Sequence, residues 1–303
     1  MRFSNDRADL CKAAVGSSTI AEWYGEGIQY ASSRQGTIYA GLYRRYVVSV
    51  LNLFFVRVFG AGFCLAVLFA GAVQAGQARV AVAANFLPVL RELGAAFAAG
   101  GHHLQISSGS TGKLYAQIVH GAPFDLFLAA DQARPERLER EGRIVPGSRF
   151  TYAIGHLVLW SPAPERFSDG LGWLREGRFQ RLAIANPKTA PYGRAARQFL
   201  RHHDLWVHLQ AKLVRGESVS QALQFVASGN ADAGLVALSQ VNGRAGSRWL
   251  VPATDHDPIV QQAVLLVHGA DNPAARAFYA FLQSPPARRI IRAAGYILPA
   301  LGP

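Results

Sequence analysis

Four short segments of this sequence carry residues suited to holding a small anion. Ala84-Asn85-Phe86 follows an apolar run. Ser107-Ser-Gly-Ser-Thr-Gly-Lys113 and Asn186-Pro-Lys-Thr-Ala-Pro-Tyr-Gly193 each precede a helical pattern, and Gly216-Glu-Ser-Val-Ser220 contains Ser218, a good N-cap type. A helix start leaves backbone N–H groups without intrahelical partners and carries a partial positive charge, so it attracts anions. The hydroxyls of Ser110 and Thr111 add donors, and Gly109 and Gly112 let the backbone turn its N–H groups inward. A single Ser-Thr-Gly before a helix is ordinarily an N-cap. Only the convergence of several such helix starts on one cleft makes an anion site, and spacing alone does not show convergence.

Other chemistries fit poorly. Gly112-Lys113 resembles the end of a nucleotide phosphate loop, but that pattern needs Gly at 107 and Ser or Thr at 114, where this chain has Ser107 and Leu114. His102-His103 and His202-His203 are adjacent pairs, and no carboxylate–histidine spacing near them makes a metal site. A Ser or Thr nucleophile needs a base and an orienter, and no local motif ties Asp125 or Asp131 to a hydroxyl and a histidine. Asp125 reads as a structural anchor. Trp160, Trp173, Trp206 and Trp249 are scattered and read as core or rim, not as a stacking platform. The net charge of +12 is dispersed without a basic block, which argues against a nucleic-acid groove.

The elements that must position these segments follow from patterning. Residues 58–78 contain no charge, follow Arg57 and end in small residues, as a signal peptide does, with cleavage expected after Ala75 or Ala78. Residues 1–55 form a polar N-terminal extension unlike an ordinary leader, and translation is expected to begin near Val56. Cys11 and Cys64 both fall before the expected mature chain, which then has no disulfide and no thiolate. Beyond residue 79, strand and helix patterns alternate. Strands are expected at 79–84, 104–107, 125–130, 182–185 and 233–237, and helices near 88–98, 113–120, 135–142, 193–202, 219–227, 273–282 and 286–294. That order predicts α/β lobes with parallel sheets. Two long apolar runs, 150–160 and 259–267, read as crossings between the lobes. The expectation is a clamshell, with one lobe from 79–155 and 264–303 and the other from 156–263.

The segments VAVAANFLPVL (80–90), GSTGKLYAQI (109–118), GAPFDLFLAAD (121–131), NPKTAPYG (186–193) and GESVSQALQFVASGNADAGLVALSQV (216–241) resemble the periplasmic molybdate-binding proteins of ABC transporters. The resemblance spans nearly all of 79–303, in order. It implies a type II periplasmic-binding fold of two αβ lobes with two crossover segments, and an oxyanion, molybdate or tungstate, held between them. The implied partners are an inner-membrane permease and its cytoplasmic ATPase, with a monomeric periplasmic carrier, no cofactor and no catalytic step. By position, the family's ligand contacts fall on Ala84, Asn85, Ser110, Thr111, Tyr192 and the backbone of Val219. Two positions depart from the pattern. Asn85 stands where many members have Ser and is read as a variant donor. Ala237 stands where many have a Tyr hydroxyl, and Tyr192, where others have a small residue, is read as its replacement. The chemistry agrees with the resemblance. The four segments hold no Asp and a single Glu, Glu217, so they offer donors to a fully deprotonated dianion and no ready acceptor for the proton of phosphate. Sulfate or another small oxyanion is the alternative ligand, and a secreted hydrolase using Ser110 or Thr111 the remote alternative.

Overall fold

The computed structural model describes residues 76–299. The expected N-terminal extension, the two cysteines and all but the last three residues of the expected signal peptide lie outside the described residues. The strands are β1 (Gln77–Ala83), β2 (His103–Gly109), β3 (Leu126–Leu128), β4 (Phe150–Gly155), β5 (Leu157–Ser161), β6 (Leu182–Ala185), β7 (Leu213–Gly216), β8 (Ala233–Ala237), β9 (Ser247–Leu250) and β10 (Ile259–Leu265). They form two five-stranded sheets, ordered β2-β1-β3-β10-β4 and β7-β6-β8-β5-β9.

Each sheet has a parallel trio, one reversed strand beside it, and an outer strand that runs with the trio again. β1 runs parallel to β2 and β3, and β10 antiparallel to β3 and β4. In the second sheet β6 runs parallel to β7 and β8, while β5 is antiparallel to β8 and β9. The sheets are therefore mixed, not parallel as the alternating pattern predicts. The reason lies in the crossings. β5 and β10 enter their sheets from the other lobe, at the edge where the parallel strands end, and so must run the opposite way.

The two long apolar runs are strands rather than linkers. Phe150–Trp160 divides at His156 into β4 of the first sheet and β5 of the second. β10 pairs with β4 from Ile259 and with β3 from Ala263, so the chain has already returned to the first sheet before residue 264. The lobe boundary drawn at 263/264 from the sequence is corrected to the stretch before Ile259. A strand covered on both faces of its sheet reads as an unbroken apolar run, which sequence alone does not distinguish from a buried connector.

The helices cover these sheets: α1 (Leu87–Ala98), α2 (Thr111–Val119), α3 (Ala133–Arg140), α4 (Gly170–Glu176), α5 (Pro191–His202), α6 (Leu205–Leu209), α7 (Val219–Ala227), α8 (Leu238–Val241), α9 (Pro273–Leu282) and α10 (Pro285–Ala293). α1 buries Val89, Leu90, Leu93 and Phe97, one helical stripe, against the first sheet. α5 and α7 pack Phe199, Leu200, Ala222 and Val226 into the core of the second lobe. At the start of β1, Ala78 is fully buried, Gln77 pairs with His103, and the Gly76 N–H donates to His102 Nδ1 at 3.2 Å.

Candidate functional site

The parallel strands of both sheets deliver their carboxyl ends to the space between the lobes, as ligand sites of open α/β sheets require. β1 runs into a 3₁₀ turn, Ala84–Phe86; β2 runs through Ser110 into α2; the segment after β6 leads into α5; and the segment after β7 leads through Ser218 into α7. Ala84, Asn85, Ser110, Thr111, Tyr192 and Val219 all line one cavity there, with Ala130 and Pro191 beside them. The cavity is small, about 10 Å³, roughly the room one water molecule needs. No lining residue carries a charge. The convergence that the sequence leaves open is thus present in the fold.

Ser110 holds the N-cap position of α2 in extended backbone conformation, yet its side chain makes no capping hydrogen bond. Its Oγ is buried and has no hydrogen-bond partner among the described residues. A buried hydroxyl left this way costs about 1–3 kcal/mol, so the ordinary capping role does not account for it. Thr111 Oγ1 accepts from the Ala130 N–H at 3.1 Å, which leaves the hydroxyl proton to donate. At the start of α7, Ser218 Oγ accepts from Gln221 N–H, and the first N–H groups of the helix remain outside the intrahelical ladder.

Asn85 behaves differently from its sequence reading as a variant side-chain donor. Its Nδ2 donates to Gln261 Oε1 at 2.8 Å and to the Tyr296 hydroxyl at 2.9 Å. An amide nitrogen has two protons, and both are used behind the cavity. What Asn85 can still offer is its backbone N–H, at the opening of the 3₁₀ turn. The side chain instead anchors a buried network. Tyr152 donates to Gln261 Oε1 at 3.0 Å, Gln261 Nε2 donates to the Tyr192 hydroxyl at 3.3 Å, and Ser239 Oγ donates to the Tyr296 hydroxyl at 2.8 Å. Tyr192 and Ser239 come from the second lobe and the others from the first, so the network crosses the cleft. Burial pushes the Tyr152 and Tyr192 phenols well above their ordinary pKa, and pushes Tyr296 up to about 12. These hydroxyls are neutral at physiological pH, so an anion would meet no phenolate.

Close backbone approach makes room for this arrangement. A Cβ on Gly155, the last residue of β4, would lie 2.1 Å from the Tyr192 hydroxyl. A Cβ on Gly112 would lie 2.9 Å from the Thr189 carbonyl, which accepts the Gly112 N–H from across the cleft. The Ala84 carbonyl is held by two groups of the second lobe, Ser220 Oγ at 3.0 Å and Gln240 Nε2 at 3.2 Å. Further out, Asp131 on the first lobe pairs with Arg194 on α5 at 3.0 Å, and Lys113 with Glu217 at 2.7 Å.

Residues 78–297 match the family model of bacterial extracellular solute-binding proteins. The molybdate-binding protein of Azotobacter vinelandii is 50% identical over 234 residues, covering 76% of this chain and 93% of that protein. That of Rhodobacter capsulatus is 48% identical over 225 residues, covering 74% and 89%. The chain belongs to this family. The solved periplasmic molybdate-binding protein of A. vinelandii superposes with a TM-score of 0.71 at 45% identity, covering 73% of this chain and 99% of that one. The two mixed sheets of this solute-binding protein are thus the periplasmic-binding fold that the resemblance implies.

Within this member of the family, the structure also identifies residues that the motifs did not. Gln261, Tyr296, Tyr152 and Ser239 fix the Asn85 turn from behind, and Ala130 orients Thr111. The visible clue was Gln261-Gln262, two amides inside an otherwise apolar run. Ala237 is fully buried at the end of β8 and does not line the cavity.

Proposed function

We propose that this protein binds molybdate, and tungstate with it, in the cavity between its lobes, and hands the anion to an inner-membrane permease driven by a cytoplasmic ATPase. The observation that carries the reading is Ser110. Its hydroxyl is buried and unpartnered among the described residues, at a helix start, in a cavity lined by neutral donors. Two relatives of about half identity, both named as molybdate-binding proteins, support the choice of ligand. The donors are Ser110 Oγ, Thr111 Oγ1, the Tyr192 hydroxyl and the backbone N–H groups at Ala84, Asn85 and Val219. A set of preorganised neutral donors at helix starts can hold a dianion without a buried countercharge. Tyr192 fills the role that Ala237 lacks. Two relatives named as binding proteins support a carrier without a chemical step.

Selectivity follows from size and proton count. Donors spaced for the longer bonds of molybdate cannot all reach sulfate, and each one left unpaired in a closed site costs about 1–3 kcal/mol. Two such donors give molybdate an advantage of roughly 30-fold or more. Monoprotonated phosphate is disfavoured further, because its proton finds no carboxylate acceptor. Export by a signal peptide ending at Ala75 fits the start of β1, since removal of residues through Ala78 would take away a buried strand residue and two ladder pairs.

Calorimetry of the purified protein against sodium molybdate, tungstate, sulfate and phosphate tests the assignment. Near-equal molybdate and tungstate affinities, with sulfate much weaker and phosphate absent, are expected. Comparable sulfate and molybdate affinities would make this a general small-oxyanion carrier, and turnover of a generic ester would make it a hydrolase.

A further inference from the structure

α5 ends where it meets the segment that returns the chain to the first sheet, and His202, His203 and Asp255 gather there. His203 Nε2 lies 2.8 Å from Asp255 Oδ2, and His202 Nε2 lies 3.9 Å from Asp255 Oδ1. One potential ligand atom from each residue falls within 4.8 Å of the others. We propose that these three side chains form a binding site for a late first-row divalent cation such as Zn²⁺, separate from the anion cavity.

The donor types favour that class of ion. Two imidazole nitrogens and one carboxylate suit Zn²⁺, Cu²⁺ or Ni²⁺, whereas Ca²⁺ and Mg²⁺ prefer oxygen alone. The spacing agrees. With metal–ligand bonds of about 2.0–2.2 Å, neighbouring ligands on a tetrahedral ion sit roughly 3.3 Å apart, between the two distances from Asp255. Closing on an ion requires small ring rotations, and His202, with its side chain 56% exposed, is free to make them. The other two ligands are held more firmly, with side chains 16% and 10% exposed. Thr254 Oγ1 donates to Asp255 Oδ1 at 2.9 Å, the kind of outer support that orients a ligating carboxylate. Both histidines stand at the end of α5, His202 as its last residue and His203 as its C-cap. The negative end of the helix dipole favours a cation there. Three protein ligands beside an open recess leave the fourth position to water, as in three-ligand zinc sites. The adjacent histidines alone do not make a site; the carboxylate that completes it comes 52 residues later.

A cation here would clamp the return segment to α5, the helix whose first turn carries Tyr192. The test is titration of the full chain, free of any affinity tag, with ZnCl₂ by calorimetry and with CoCl₂ by visible absorption. One saturable equivalent is expected. His203→Ala and Asp255→Asn should each weaken it about tenfold or more, and should remove the cobalt absorption. His120→Ala, at an exposed histidine outside the cluster, should leave both unchanged. Circular dichroism checks each fold, and the exposed His202→Ala decides alone if the more buried variants unfold. Absence of saturable binding up to millimolar Zn²⁺, or full affinity in the folded cluster variants, would overturn the proposal.

Discussion

Ser110 and Ser218 occupy the same position of two helices, α2 and α7, in the same extended backbone conformation, on opposite lobes of one cleft. Ser218 does what an N-cap serine does and accepts a backbone N–H, that of Gln221. Ser110 leaves its helix uncapped and its oxygen buried without a partner among the described residues. One hydroxyl stabilises a helix. The other is buried by the fold without a partner, and that difference supports the ligand-binding role proposed for Ser110.

The largest effect is expected at Thr111, whose hydroxyl both accepts within the protein and faces the cavity. Thr111→Ala should weaken molybdate binding roughly 10- to 150-fold, the value of a hydrogen bond to a charged partner. It should also lower stability by about 1–3 kcal/mol, because the Ala130 N–H loses its acceptor. Calorimetry and urea unfolding read the two effects separately. Ser110→Ala should weaken binding by a similar factor of about 10 or more while leaving the unfolding midpoint unchanged or raised, since it removes a buried unpaired hydroxyl. A clear loss of stability in this variant would mean that Ser110 caps α2 after all. Ser218→Ala should show the reverse, costing about 1 kcal/mol of stability and changing the molybdate dissociation constant less than about threefold.

The smallest effect concerns the network behind the cavity. Phenol pKa values raised in the folded state favour folding fully below the unfolded value of 10, and that contribution is lost as pH rises toward the folded values. Stability should therefore fall from pH 10 toward the Tyr296 value of about 12, while molybdate affinity stays flat between pH 7 and 9. A titration in affinity within that lower range would show that a phenol ionises in the site.

Much of the fold was legible because its signals are local. The apolar stripe and cap of Val219–Ala227 and the proline start of Pro273–Leu282 appear in the sequence with the bounds seen in the structure. β7 and β9 were missed. Both are edge strands that expose an arginine, Arg215 and Arg248, and neither has a continuous apolar run. At the cavity, the four anion-type segments were readable as helix starts, but the direction of the Asn85 amide was not. Its partners stand 176 and 211 residues away, and hydrogen bonds of that separation leave no periodic trace. Ser110 and Ser218 look alike in sequence for the same reason: what distinguishes them is whether a neighbouring N–H points at the oxygen.

The uncharged cavity lining also bears on the protein as a whole particle. Nothing in that lining changes protonation to offset a bound dianion. Loading therefore transfers the anion's entire two negative charges to a strongly cationic molecule. Filled and empty carriers should travel as distinct species on cation exchange or native electrophoresis, and a membrane receptor could sort them by their field before any side chain touches.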